Sequence, residues 1–120
     1  KIAISSIEKN KNINLIINSI KDKKGRDIVI MNLKNIVNAP CSFFVICSGQ
    51  SKRQINAISN NIEKKLLDKL NLKSWSQEGK MSNWRLIDYA DIVIHILKDE
   101  TRERYKIEEL WGDAIINKIN

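Results

Sequence analysis

The sequence is poor in the residues that many functional classes need. Its 120 residues include one proline, four glycines, two cysteines and one histidine. No apolar run approaches the roughly 20 residues that span a bilayer, so a soluble chain without a membrane partner is expected. The cysteines, Cys41 and Cys47, lie in the run CSFFVIC. If that run is a strand, six positions at about 3.3 Å each place them roughly 20 Å apart, far beyond the reach of a disulfide. With no CxxC pair and His95 alone, a Cys/His zinc site lacks ligands. This usage fits a reducing compartment. The chain opens on Lys1 rather than Met, so any upstream address is not legible and the compartment stays open.

What is abundant is isoleucine, lysine and asparagine: 22, 16 and 14 residues. All three are spelled by A/T-rich codons. The net charge of +7 therefore reports either a genome's base composition or a nucleic-acid partner. The 42% hydrophobic content is enough for a core, and the length is that of one domain, taken here as 1–120.

Ile13, Ile16, Ile17 and Ile20 recur at helical spacing, which predicts a helix over about 5–22 with Ser5 and Glu8 as a capping box and Gly25 as a left-handed cap. Asp27 to Leu33 reads as a strand, NIVNAP as a loop or short edge strand, and Ser42 to Cys47 as a strand covered on both faces. Ser51 and Gln54 form a second capping box before Ile55, Ile58, Ile62, Leu66 and Leu70, an amphipathic helix. Lys73–Gln77, Trp84–Tyr89 and Ile92–Leu97 are further strands, the last two joined as a hairpin through Ala90 and Asp91. Asp99 to Thr101 open a last helix whose buried stripe is Ile107, Leu110, Trp111, Ala114 and Ile115. The tally is mixed α/β, with about five strands and three helices.

The layout bears on four chemistries. The strand–turn–helix SGQSKRQ invites a phosphate at a helix N-terminus. It carries only Gly49 where dinucleotide and P-loop motifs need several fixed positions, so a capped helix start is favoured. A nucleophile triad would take Cys47 or Ser48, His95, and Asp88 or Asp91. A single histidine on a half-buried strand is more often structural. Two-metal chemistry needs converging carboxylates, and no acidic-x-acidic pair lies on an apolar strand. The lysines and arginines are dispersed and offset by acids, with no aromatic platform for bases, which leaves only weak electrostatic contact with rRNA. Catalytic, metal and cofactor sites are thus not expected. Trp84, Asp88, Tyr89, Asp91 and His95 on the hairpin, followed by Glu100, Arg102, Glu103 and Tyr105, have the composition of a protein-binding patch. They equally have that of core aromatics beside a solvated helix end.

The blocks KGRDIVIMNL, FFVICSGQSKRQINAIS, EGKMSNWRLIDYADIVIHIL and ETRERYKIEELWGDA, in that order, resemble the ribosomal silencing factor family, also called Iojap-like. The resemblance covers about residues 20–114. It implies one three-layer α/β/α domain related to nucleotidyltransferases, without catalysis or cofactor. It also implies a factor that binds large-subunit ribosomal protein uL14 and blocks small-subunit joining, repressing translation or assisting large-subunit assembly. A homodimer when free, a minor rRNA contact, and residence in bacterial cytoplasm or in a mitochondrial or plastid matrix are further expectations.

Family positions carried over as uL14 contacts are Glu78, Trp84, Asp88, Tyr89, Asp91, His95, Glu100, Arg102 and Tyr105. Gly79 and Trp111 are assigned to turn and core. The other reading is a nucleotide-binding or nucleotidyltransferase-like enzyme using the Ser48–Ser51 turn. Departures from the family pattern are Ser42 for an aspartate, Met31-Asn32-Leu33 for Leu-Asp-Val, Ala90 for a glycine, and a slightly shorter loop before Trp84.

Overall fold

The computed structural model describes residues 10–119. Helix α1 (Lys11–Asp22) starts later than the expected 5–22, because Asn10 caps it: its side chain accepts from the Ile13 N–H at 3.1 Å. The Ser5–Glu8 capping box lies outside the described residues. Lys24, at φ 62°, takes the left-handed position that closes the helix, and the Gly25 N–H returns to the Ile20 carbonyl at 3.0 Å. Gly25 is needed for space instead, since a Cβ there would lie 2.4 Å from Ile20 Cγ2.

Strands β1 (Arg26–Asn32) and β2 (Phe43–Gly49) follow, joined by an irregular loop that contains no strand. Helix α2 (Lys52–Leu70) begins at Ser51, whose Oγ accepts from Gln54 N at 3.1 Å. Strands β3 (Ser76–Glu78), β4 (Trp84–Asp88) and β5 (Ile92–Lys98) come next. The sheet has six strands in the order β3-β4-β5-β2-β1-β6. Among the described residues only the β2–β5 pair is parallel, and the connection between its two strands runs through α2, β3 and β4.

The chain after β5 departs from the single helix expected. Lys106 sits at φ 44° and breaks it into α3 (Asp99–Tyr105) and α4 (Ile107–Leu110). Of the expected stripe only Ile107 is fully buried, while Leu110 and Ile115 are exposed. Ile115 belongs instead to β6 (Ile115–Lys118), an edge strand antiparallel to β1. Gly112 and Asp113 are the turn signal that separates it from α4.

Two clusters sandwich the sheet. On one face, α1 and α2 pack Ile13, Ile16, Ile20, Ile55, Ile58, Ile62 and Leu66 onto Ile30, Val45, Cys47, Ile94 and Ile96. On the other, Met31, Phe44, Ile46, Val93 and Leu97 lie beneath Ile36 and Ala39 of the loop and Ile107 and Trp111 of the C-terminal segment. The arrangement is the mixed three-layer α/β domain expected.

The β4–β5 turn carries strain that can be tested. Ala90 holds φ 70°, a conformation that costs an ordinary L residue on the order of 1–2 kcal/mol. Ala90→Gly relieves this but frees the unfolded chain by about 0.4–1 kcal/mol. The variant should gain about 0.5–1 kcal/mol of stability in urea unfolding.

A candidate protein-binding face

Strand β4 alternates. Arg85 and Ile87 turn toward α2 and are buried, whereas Trp84, Leu86 and Asp88 turn to the other face and are half-buried. The buried Arg85 guanidinium is held by the side-chain oxygens of Gln77 and Asn56, with Glu63 3.9 Å away. β4 is thereby fixed to α2 on its inner side, and its outer residues are presented on a rigid support.

On that outer side a chain of rings crosses the sheet. The Tyr105 and Trp84 ring centroids are 5.1 Å apart, and the Trp84 and His95 centroids 5.9 Å. His95 meets Phe44 edge-on at 4.7 Å, and Phe44 meets Trp111 at 5.9 Å. Trp84 Nε1 donates to His95 Nδ1 at 3.1 Å. Nδ1 is therefore the acceptor, and the imidazole hydrogen sits on Nε2, which is buried without a partner among the described residues. Burial lowers the His95 pKa to about 4 and keeps the ring neutral at neutral pH.

The expected contact residues fall into distinct settings. Trp84, with Leu86 beside it, and the half-exposed Tyr105 form an apolar surface, with exposed Glu78 paired across from Leu86. Glu100 stands exposed in the first turn of α3, 3.5 Å from Lys98. His95, 6% exposed, supports Trp84 from below.

Arg102 serves the fold. Its guanidinium donates to the Asp27 carbonyl at 2.5 Å, Ser48 Oγ at 2.9 Å and Glu108 at 3.2 Å, tying the starts of α3 and β1 to the end of β2. Tyr89 lies in the core on the opposite face, where burial raises its phenol pKa. Asp88 is at the far end of β4, roughly 13 Å along the strand from Trp84. Its Oδ1 accepts from Ala90 N at 2.7 Å, while Asp91 is exposed in the turn. Leu86 is not among the expected contacts, although its alternation with Trp84 and Asp88 gives its facing. Gly79 occupies the turn at φ 78° and Trp111 is partly buried, as assigned.

The groups of the Ser48–Ser51 turn are committed to structure. Ser48 Oγ accepts from Arg102 and Ser51 caps α2. Gln54 closes the turn, accepting from Gln50 N at 2.7 Å and donating to the Lys23 and Lys24 carbonyls. Cys47 is fully buried, with its pKa pushed up to about 12, and packs on the helix-covered face, opposite His95. Both cysteines are free thiols. Among the described residues no three His, Cys, Asp or Glu side chains converge to hold a metal ion, and no helix is long and apolar enough to cross a membrane.

The family model for "Ribosomal silencing factor during starvation" matches residues 6–120. The chain belongs to the ribosomal silencing factor family. A member from Halalkalibacterium halodurans is 37% identical over 83% of this chain and 85% of its own length. The Bacillus subtilis ribosomal silencing factor is 34% identical over 78% of each. The chloroplastic Iojap protein of Zea mays is 33% identical over 76% of this chain but only 39% of its own length. A crystal structure of a Chromobacterium violaceum protein superposes with a TM-score of 0.78 at 29% identity, covering 85% of this chain and 84% of that one.

His95 predicts an acid sensitivity. Its folded pKa of about 4 lies below the ordinary 6.5, so the unfolded state takes up the proton first as pH falls. Stability from this group is full above about pH 6.5 and is lost toward pH 4, at no more than about 1.4 kcal/mol per pH unit. Urea unfolding of His95→Gln, which can still accept from Trp84, should show a flatter decline between pH 6.5 and 5 than the parent.

Proposed function

We propose that this silencing factor binds the large ribosomal subunit through protein uL14 and thereby blocks small-subunit joining. The observation that carries this reading is the ring-supported surface of Trp84, Leu86 and Tyr105, rimmed by Glu78 and Glu100. It is apolar at its centre, acidic at its edge and immobilised by the packing beneath it. Tryptophan and tyrosine are the residues that most often dominate interface energetics, and a carboxylate rim complements a basic ribosomal protein. A specific interface needs about 800 Å² per partner, roughly a tenth of the 7280 Å² this chain exposes.

Silencing by occlusion requires no bond-making. A small rigid body seated on an intersubunit contact makes docking of the second subunit sterically impossible. The same binding would let the factor act on large subunits during assembly, in a bacterial cytoplasm or, for organellar members, in a plastid or mitochondrial matrix. The net charge of +7 adds a non-specific, salt-sensitive attraction to rRNA. In the absence of ribosomes, two copies would cover their apolar faces as a homodimer.

Two measurements test this reading. The protein should co-sediment with free large subunits and not with translating ribosomes; equal association with both overturns it. Trp84→Ala and Tyr105→Ala should each weaken affinity for isolated uL14 at least tenfold, about 1.4 kcal/mol. Unchanged affinity in both, with native circular dichroism, would place the interface elsewhere.

A further inference from the structure

We propose that the cleft between Trp75 and the loop 33–42 is a second docking site, which takes an arginine side chain from a segment of a partner protein. The cleft has a volume of about 540 Å³ and lies at the end of the sheet where β4 finishes and β5 begins. Ile36, Ala39 and Pro40 contribute its apolar lining, with Trp75, Asp88 and Asp91 lining the rest.

Three observations point to this occupant. Trp75 is 79% exposed, although the other two tryptophans are packed into the ring chain. Its backbone is nonetheless pinned, since Trp75 N donates to the Asp88 carbonyl at 2.7 Å. The indole is thus left in water while its backbone is fixed to the strand that carries Asp88, and both residues line the same cleft. Next, the Asp91 carboxylate is exposed and pairs with no side chain among the described residues, and the bond Asp88 makes is from Oδ1 to the Ala90 N–H. Lys34, the cationic residue of the lining, has its ammonium 4.9 Å from the Phe43 ring centroid. Finally, the loop is preformed by successive turns, with Ile36 N donating to the Leu33 carbonyl at 3.0 Å and Ala39 N to the Ile36 carbonyl at 3.3 Å. Little ordering is left to be done on binding.

An aromatic face beside two carboxylates is the environment a guanidinium satisfies best. Its plane stacks on the indole while its N–H fork addresses the carboxylates, and its aliphatic stem lies against the apolar lining. A lysine ammonium fits less well, having no plane to stack. The carboxylates repel the phosphates of RNA, so the charge selects a protein segment even though the chain as a whole is basic. The site stands apart from the uL14 reading: the Trp84 face could serve any partner and this cleft would still take a cation.

The test uses the ¹⁵N-labelled full chain titrated with Ac-Leu-Arg-Leu-NH₂. The expected result is movement of the Trp75 indole N–H and the Ile36 and Asp91 amides, with the Trp84 and Trp111 indoles unmoved. Ac-Leu-Lys-Leu-NH₂ should bind more weakly and Ac-Leu-Glu-Leu-NH₂ should leave the signals in place. Trp75→Ala and Asp91→Asn, both at exposed positions, should keep the parent melting temperature and weaken the arginine peptide at least fivefold. Equal shifts with the glutamate peptide, unchanged affinity in both variants, or displacement of the peptide by an RNA oligonucleotide bound at the same signals would overturn the proposal.

Discussion

Strands β2 and β5 lie parallel at the centre of the sheet, with almost every side chain on both of their faces out of water. A strand pair of this kind is stable only if both faces are covered, and much of the chain is organised around that demand. Helices α1 and α2 cover one face. The other is covered by a loop, two short helical turns and a chain of aromatic rings. Polar groups that bind something else are thereby displaced to the edge strands and to the two ends of the sheet. The two candidate binding surfaces, one centred on Trp84 and the other on Trp75, lie there.

The ring chain connects core to surface. Phe44 and His95 belong to the central strands, Trp84 to the next strand outward, and Tyr105 to the short helix above. The most exposed ring of the candidate face is therefore braced, ring by ring, by core residues. His95 works here as a neutral spacer that accepts one hydrogen bond from Trp84 and holds that ring in place.

Much of this was legible in the sequence. The helix of Ile55, Ile58, Ile62 and Leu66, its Ser51–Gln54 cap and the continuous apolar strands carry strong periodic signals, and the family blocks fixed their order. The segment after Tyr105 was not legible, because neither glycine nor proline marks the break at Lys106. A left-handed lysine is a cost met by tertiary packing, which local propensity does not record.

At the site, residue type alone could not separate surface from scaffold. Tyr89 and Tyr105 look alike as letters, yet one is core and the other half in solvent. Arg102, charged and near a helix start, resembles a contact residue but spends its donors on Asp27, Ser48 and Glu108. The facing of β4 was recoverable by alternation, whereas Trp75 sits in a polar stretch with no periodicity to place it.

The sheet's outer strands have a consequence of their own. β3 spans three residues and β6 four. Such short margins offer little unpaired backbone for another chain to zip onto, a common route from folded β-proteins to fibrils. For a protein with so many isoleucines, brevity at the borders is a safeguard: molecules can crowd together without one sheet being extended into the next.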